Sequence, residues 1–371
     1  MQREITLSAP DITEAEIAAV TQVLRTPRLS LGPKVPEFET AFTRRLGVKH
    51  AVACNSGTSG LHLIWRALRL KPGDEVITTP FSFIASGNSI MFVGARPVFV
   101  DIDPDTWQID AARIEAAITP RTRAILPVDV FGSTPDMDAV VEIGRRRGLR
   151  VVEDSCEALG TLYKERPAGT LAEVGAFGFY PNKQITTGEG GMVVTSDDEI
   201  AFAVRSLRNQ GRDPDAGWLA HARLGFNYRL PDINCAIGIE QMRRLDEMLQ
   251  KRARVARWYV ERLADERRIR LQRIPPEVSM SWFVFVVRLA DEYSQARRDE
   301  ILHRLQQRGI GCGNYFTPIH LQPFYRTQFG YEPGDFPLTE LLSARTVALP
   351  FHNHLSEADV DAVVRELRQL L

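Results

Sequence analysis

Short apolar runs alternate with helical stripes through the first two hundred residues. Runs at 50–54, 75–79, 97–100, 124–128, 150–153, 175–179 and 192–195 have the length and apolar density of buried strands. Between them, Leu61, Ile64, Trp65 and Leu68 repeat at helical spacing, and Lys-Pro-Gly-Asp at 71–74 ends that helix. Ile114, Ala117 and Ile118 make a shorter stripe after the Asp-Pro-Asp turn at 103–105. Such alternation predicts an α/β protein with a mostly parallel sheet and helices on both faces. Ligands of such sheets collect beyond the carboxyl ends of the strands. After about residue 230 the texture changes. Residues 234–263 read as one long helical region rich in Arg and Glu, followed by a strand-like run at 281–289 and a helix at 299–308. A closing helix starts from Ser356, with Asp359 as its capping partner. The expected division is a large domain over 1–235, including the N-terminal segment, and a smaller α+β domain over 236–371.

The chain has 371 residues with 46 basic and 47 acidic side chains, a formal net charge of −1. This balance offers no global attraction to nucleic acid or to a membrane surface, and neither is expected as a partner. Arg145, Arg146 and Arg147 read as a solvated helix face. Residues 1–25 lack the apolar core of a signal peptide, and no apolar stretch nears the roughly 20 residues that cross a bilayer. Cys54, Cys156, Cys235 and Cys312 are scattered without a CxxC pair. That usage suits reduced thiols in a cytoplasm better than disulfides or zinc. His352 and His354 would share one face of a strand, but no third ligand is near. They read as surface or loop histidines, and no metal site is expected. Cys156 reads as a small packing residue.

Three segments carry candidate chemistry. Asn-Ser-Gly-Thr-Ser-Gly at 55–60 follows a predicted strand and opens a predicted helix, where backbone N–H groups and the helix dipole favour a phosphate. An ordinary capping turn explains it equally well. Val-Val-Glu-Asp at 151–154 ends a strand in two acids. Opposite a pyridine nitrogen, such a carboxylate would keep the nitrogen protonated; alone, a solvated strand-end acid is the better account. Lys183 lies between an aromatic strand end, Phe179-Tyr180, and the glycine-rich Gly188–Gly191 turn. A lysine so enclosed can act as an imine-forming nucleophile. Together the three meet what pyridoxal 5'-phosphate (PLP) requires: a phosphate cradle, a partner for the ring nitrogen and an amine for the aldehyde.

At this point the chain resembles the DegT/DnrJ/EryC1/StrS family of PLP-dependent sugar aminotransferases, nearly end to end. The resemblance runs through NSGTSGLHL at 55–63, GDEVI at 73–77, PVFVDID at 97–103, EDSCEALG at 153–160, KQITTGEGGM at 183–192, GFNYRLP at 225–231 and YFTPIHLQP at 315–323. It implies the PLP-dependent transferase fold type I, with a mixed, mostly parallel seven-stranded sheet. It implies Lys183 as the Schiff-base lysine and proton carrier, and Asp154 on the pyridine nitrogen. Gly57, Thr58 and Ser59 would hold the phosphate, Phe83 would stack on the cofactor and Glu157 would face its phenolic oxygen. Asn227 would reach the phosphate of a neighbouring subunit, making a homodimer with shared active sites. Arg229, Tyr315 and His320 fall near the sugar pocket. The substrates implied are a nucleotide-linked sugar and an amino acid donor, glutamate in the family.

Three positions depart from the family pattern. Gly178 stands where a serine often contacts the phosphate, so that bonding must come from elsewhere, such as Tyr180 or water. Glu157 stands where Gln or His is common, and a carboxylate would repel a phenolate unless protonated or turned away. Asp129 replaces a frequent His. A keto-cyclitol acceptor is one alternative to a nucleotide sugar, and a non-catalytic regulator of the same fold is another. The family's dehydratase branch carries His in place of the lysine, and Lys183 argues against it.

Overall fold

The computed structural model describes residues 4–215, 217 and 219–371. All seven predicted strands form, within three residues of their expected ends: β1 (His50–Cys54), β2 (Glu75–Thr78), β3 (Arg96–Phe99), β4 (Thr122–Ile125), β5 (Arg150–Asp154), β6 (Val174–Gly178) and β7 (Gly191–Thr195). They make one sheet in the order β1-β7-β6-β5-β4-β2-β3. The sheet is parallel except for β7, which runs antiparallel to both β1 and β6. It is the mixed, mostly parallel seven-stranded sheet expected.

Period-two alternation sorts the strand side chains onto two buried faces. Val52, Cys54, Val76, Ala124, Val152, Val174, Ala176 and Val193 pack on one face with Leu61, Ile64 and Trp65 of helix Gly57–Ala67 and with helix Asp198–Arg208. Their neighbours Ala51, Ala53, Phe177, Met192 and Val194 turn to the other face. There they meet Phe38 and Phe42 of helix Lys34–Leu46 and Ile239 of helix Asp232–Arg243. Ile77, Ile125 and Val151 extend that face under helix Met137–Arg147. Both faces being covered explains why the strands read as continuous apolar runs.

The single long helix expected over 234–263 is two helices, Asp232–Arg243 and Leu245–Leu263, broken at Arg244 (φ −100°, ψ 4°). The break lets the Arg244 guanidinium reach two buried acids, Asp11 at 2.8 Å and Glu16 at 2.9 Å. A smaller antiparallel sheet follows: β8 (Ile269–Leu271), β9 (Phe285–Leu289) and β10 (Thr346–Leu349), with β9 central. Its core is filled by helices Leu245–Leu263, Gln295–Gln307 and Glu357–Leu370. Ser356 and Asp359 form the reciprocal capping box expected from their spacing. Ile5 bridges to Ile310 and the Leu7 carbonyl accepts from the Phe351 amide, so the first described residues run along this second core. Among the described residues, no helix is long and apolar enough to cross a membrane.

Candidate active site

The carboxyl ends of β1, β5 and β6 open onto one cavity of about 960 Å3. Ser56 leaves β1 in an extended conformation and caps helix Gly57–Ala67, its Oγ accepting from the Ser59 amide at 3.0 Å. The Ser59 hydroxyl lies 2.9 Å from the same oxygen, and the Gly60 amide donates to the Ser56 carbonyl. The amides of Gly57 and Thr58 are left at the positive end of the helix with no helical acceptor. Glycine is needed for this approach. A Cβ on Gly57 would sit 2.7 Å from Cys156 Sγ, and one on Gly191 would sit 2.4 Å from the Ser56 carbonyl oxygen. Ser56, Gly57 and Thr58 line the cavity, whereas Ser59 spends its polar groups on Ser56 and does not.

Asp154 ends β5 and faces the same space. Its Oδ2 accepts from Ser86 Oγ at 2.6 Å and its Oδ1 from the Cys156 amide at 3.3 Å. Ser86 Oγ in turn lies 2.9 Å from Ser82 Oγ. Neither serine was expected from the sequence, because nothing in the order of residues links helix Ala85–Met91 to the end of β5.

Lys183 sits in the segment that carries the chain from β6 back into antiparallel β7. Its amide donates to the Tyr180 carbonyl, and Thr187 and Gly190 return the loop to Phe179. Nζ lies 3.8 Å from the ring centroid of Phe283 and 3.5 Å from Glu157 Oε1. Glu157 Oε2 accepts from the Phe131 amide at 2.8 Å. Burial pushes the Glu157 carboxyl pKa up, opposed chiefly by the lysine charge. A raised pKa works against the repulsion expected of a carboxylate here. Phe283 is a second contact that sequence reading missed; it precedes β9 and carries no local signal.

Phe83 lines the cavity while 60 % exposed, and Tyr315 lines it while stacked on Phe316. Gly178 lines it too, with room beside its Cα. Asp129 does not. It is wholly buried, its Oδ2 accepting from Ser155 Oγ at 2.6 Å, and burial together with the Glu153 charge drives its pKa well up.

His320 also lies off the cavity lining, contrary to expectation. The short turn Ile319–Leu321 packs its ring 4.7 Å from that of Phe336, with Nε2 3.1 Å from Glu340 Oε1 and no exposed surface. Asn227 is exposed and Arg229 donates to Asn209 Oδ1 at 3.1 Å; neither lines the cavity of its own chain. His352 and His354, expected at the surface or in a loop, both lie in the loop before helix Glu357–Leu370, His352 buried there and His354 exposed. Cys156 packs against Gly57 and Gly178 beside the cavity.

The lining combines aromatic rings, an amine and a strand-end carboxylate with the open N-terminus of a helix. Two buried acceptors in residues of that lining, Asn55 Oδ1 and Asn182 Oδ1, have no hydrogen-bond partner among the described residues. Among the described residues, no group of three or more His, Cys, Asp or Glu side chains could hold a metal.

The chain is similar to known proteins over nearly its whole length. The GDP-perosamine synthase of Caulobacter vibrioides is 41% identical over 372 residues, covering 99% of this chain and 98% of that protein. DesV of S. venezuelae, solved in complex with a ketimine intermediate, superposes with a TM-score of 0.91 at 35% identity and 98% coverage of both chains. A Streptococcus pneumoniae protein solved in its PLP form matches with a TM-score of 0.94 at 29% identity over 100% of both chains. The model of the DegT/DnrJ/EryC1/StrS aminotransferase family matches residues 10–368. The chain therefore belongs to the DegT/DnrJ/EryC1/StrS aminotransferase family, and it is a PLP-dependent aminotransferase.

Proposed function

We propose that the enzyme moves an amino group from glutamate to a keto group of a nucleotide-linked sugar, with PLP held covalently by Lys183. The observation that carries the reading is the convergence of one amine, one strand-end carboxylate and an open helix N-terminus on a single cavity. When bound, the cofactor supplies an electron-withdrawing ring conjugated to the reacting carbon. Asp154, fixed by Ser86, would hold a proton on the ring nitrogen. The Gly57 and Thr58 amides would bind the phosphate. Lys183 would hold the cofactor and then carry a proton to and from the substrate carbon. Phe83, Phe283 and Tyr315 would wall the site against water.

Charge supports a homodimer with shared sites. Lys183 is the one cationic side chain among the described residues lining the cavity, against Asp154, Glu157 and Glu189. A phosphorylated cofactor, a dicarboxylate donor and a nucleotide sugar are all anionic. Further cations would come from a second copy, by way of the segment that carries Asn227 and Arg229.

The test mixes purified protein with PLP and follows the visible band, its loss on adding glutamate, and borohydride trapping mapped to a peptide. Lys183→Ala should abolish the covalent label and lower turnover by roughly 10²–10⁴-fold. Label on another residue, or none, defeats the reading. Amine transfer to nucleotide-linked 3-keto and 4-keto sugars, set against inososes, then separates sugar from cyclitol acceptors.

A further inference from the structure

Arg252 belongs to helix Leu245–Leu263, yet its guanidinium reaches into the gap between the lysine loop and the segment leading into β9. Nη2 donates to the carbonyls of Lys183 at 2.6 Å and Asn182 at 3.2 Å. Nη1 donates to the carbonyls of Phe283 at 3.0 Å and Trp282 at 3.2 Å. The side chain is 3 % exposed, and none of these four bonds goes to a carboxylate.

This is an expensive way to use a cation. Burial lowers the Arg252 pKa to about 10, and Asp11 acts on it only through its charge. A group placed for stability alone would gain more from a paired acid. Consecutive carbonyls of an extended strand point in opposite directions. Trp282 and Phe283 nevertheless present theirs to the same nitrogen, in a segment where Trp282 is left-handed (φ 57°). The two residues whose main chains Arg252 joins, Lys183 and Phe283, are the two whose side chains meet, with Nζ 3.8 Å from the ring.

We propose that Arg252 is a positioning residue: it ties the lysine loop to the strand segment bearing Phe283 and so sets Nζ of Lys183 between the Phe283 ring and Glu157. The planar fork matters, since an ammonium at this site is a compact point donor and lacks the fixed spread of two Nη groups. The inference rests on the reading that Lys183 holds the cofactor, but the clamp itself can be tested without it.

The experiment compares wild type with Arg252→Lys by amide hydrogen exchange of the cofactor-free protein. Peptides covering 180–187 and 281–285 are followed, with 198–208, which packs in a separate core cluster, as a distant control. Exchange of both test peptides should quicken together while the control is unchanged. On adding PLP, non-covalent uptake should persist while covalent attachment to Lys183 slows roughly 10- to 100-fold, as for other small misplacements of a reacting group. Wild-type exchange and a wild-type attachment rate in Arg252→Lys would overturn the proposal. If that variant does not fold, exchange of the wild-type protein in rising denaturant decides. The two segments opening with one common free energy supports the clamp, and separate openings sink it. Failure of the wild-type protein to take up PLP would defeat the cofactor reading and leave the exchange result standing.

Discussion

The hydroxyl of Ser86 donates to Oδ2 of Asp154 across 2.6 Å, a short bond between a buried alcohol and a buried acid. With the Cys156 amide on Oδ1, it fixes the plane of the carboxylate facing the cavity. Hydrogen bonds to charged groups contribute about 1.5–3 kcal/mol. Ser86→Ala should therefore weaken PLP binding about tenfold or more, read by absorbance titration, with little change in melting temperature. Ser86→Thr, which keeps the hydroxyl, should recover most of the affinity. Equal binding by all three proteins would show that Asp154 needs no such support.

Two glycines beside the phosphate cradle should respond in opposite directions. A Cβ on Gly178 would find its nearest neighbours at 3.5, 3.6 and 3.7 Å, ordinary contact distances. Gly178→Ser should be tolerated and add a donor near Gly57, slowing PLP loss on dialysis several-fold, the equivalent of about 1 kcal/mol. Gly57→Ala forces a Cβ to 2.7 Å from Cys156 Sγ and 3.2 Å from Gly178 Cα. It should speed cofactor loss. Slower loss from the Gly57 variant would contradict the cradle.

His320 tests the difference between a resemblance and a place in the fold. With Nε2 on Glu340 and Nδ1 without a partner among the described residues, its pKa is lowered by burial. A group that folding holds neutral costs stability once it must charge. The fold should thus weaken as pH drops below the unfolded histidine value of about 6.5. His320→Gln should lower stability by about 1–3 kcal/mol and flatten that slope while leaving KM for the sugar unchanged. A large rise in KM at an unaltered melting temperature would restore a substrate role.

Asp11 offers the opposite sign. Hydrogen bonds from Arg244, Lys251 and Asn353 outweigh burial and lower its pKa from 3.8 to about 2. Its stabilisation is present above the unfolded value near 3.8 and is lost as pH falls through about 2. Asp11→Asn should cost about 2 kcal/mol at neutral pH, and the gap to wild type should close below pH ~4. A gap that persists in acid would assign the loss to packing. Arg244 stands at the break between the two helices, so the variant also reports on that junction.

Much of the arrangement is legible from order alone. Seven strands, the helix after residue 56 and the Ser356 box announce themselves because burial on both sheet faces and reciprocal capping are local, periodic requirements. Asp154 and the Gly57-Thr58 turn are legible for a related reason: they stand at or just past a strand end, where a parallel sheet must present its ligand-facing residues, and Lys183 follows in the loop beyond β6. The helix break at Arg244 is not legible, since the two acids that its guanidinium meets lie more than two hundred residues earlier, at Asp11 and Glu16.

What the order of residues determined by itself is therefore the sheet, its two covered faces and the identity of the groups at its carboxyl edge. Those follow from periodicity and from turns only a few residues long. Only the tertiary structure decided which neighbours complete them: Ser86 on Asp154, Phe283 and Glu157 around Lys183, Arg252 across four carbonyls, and His320 away from the cavity. Each of these depends on hydrogen bonds or packing between segments distant in the chain, whose energies exist only after the chain has closed on itself.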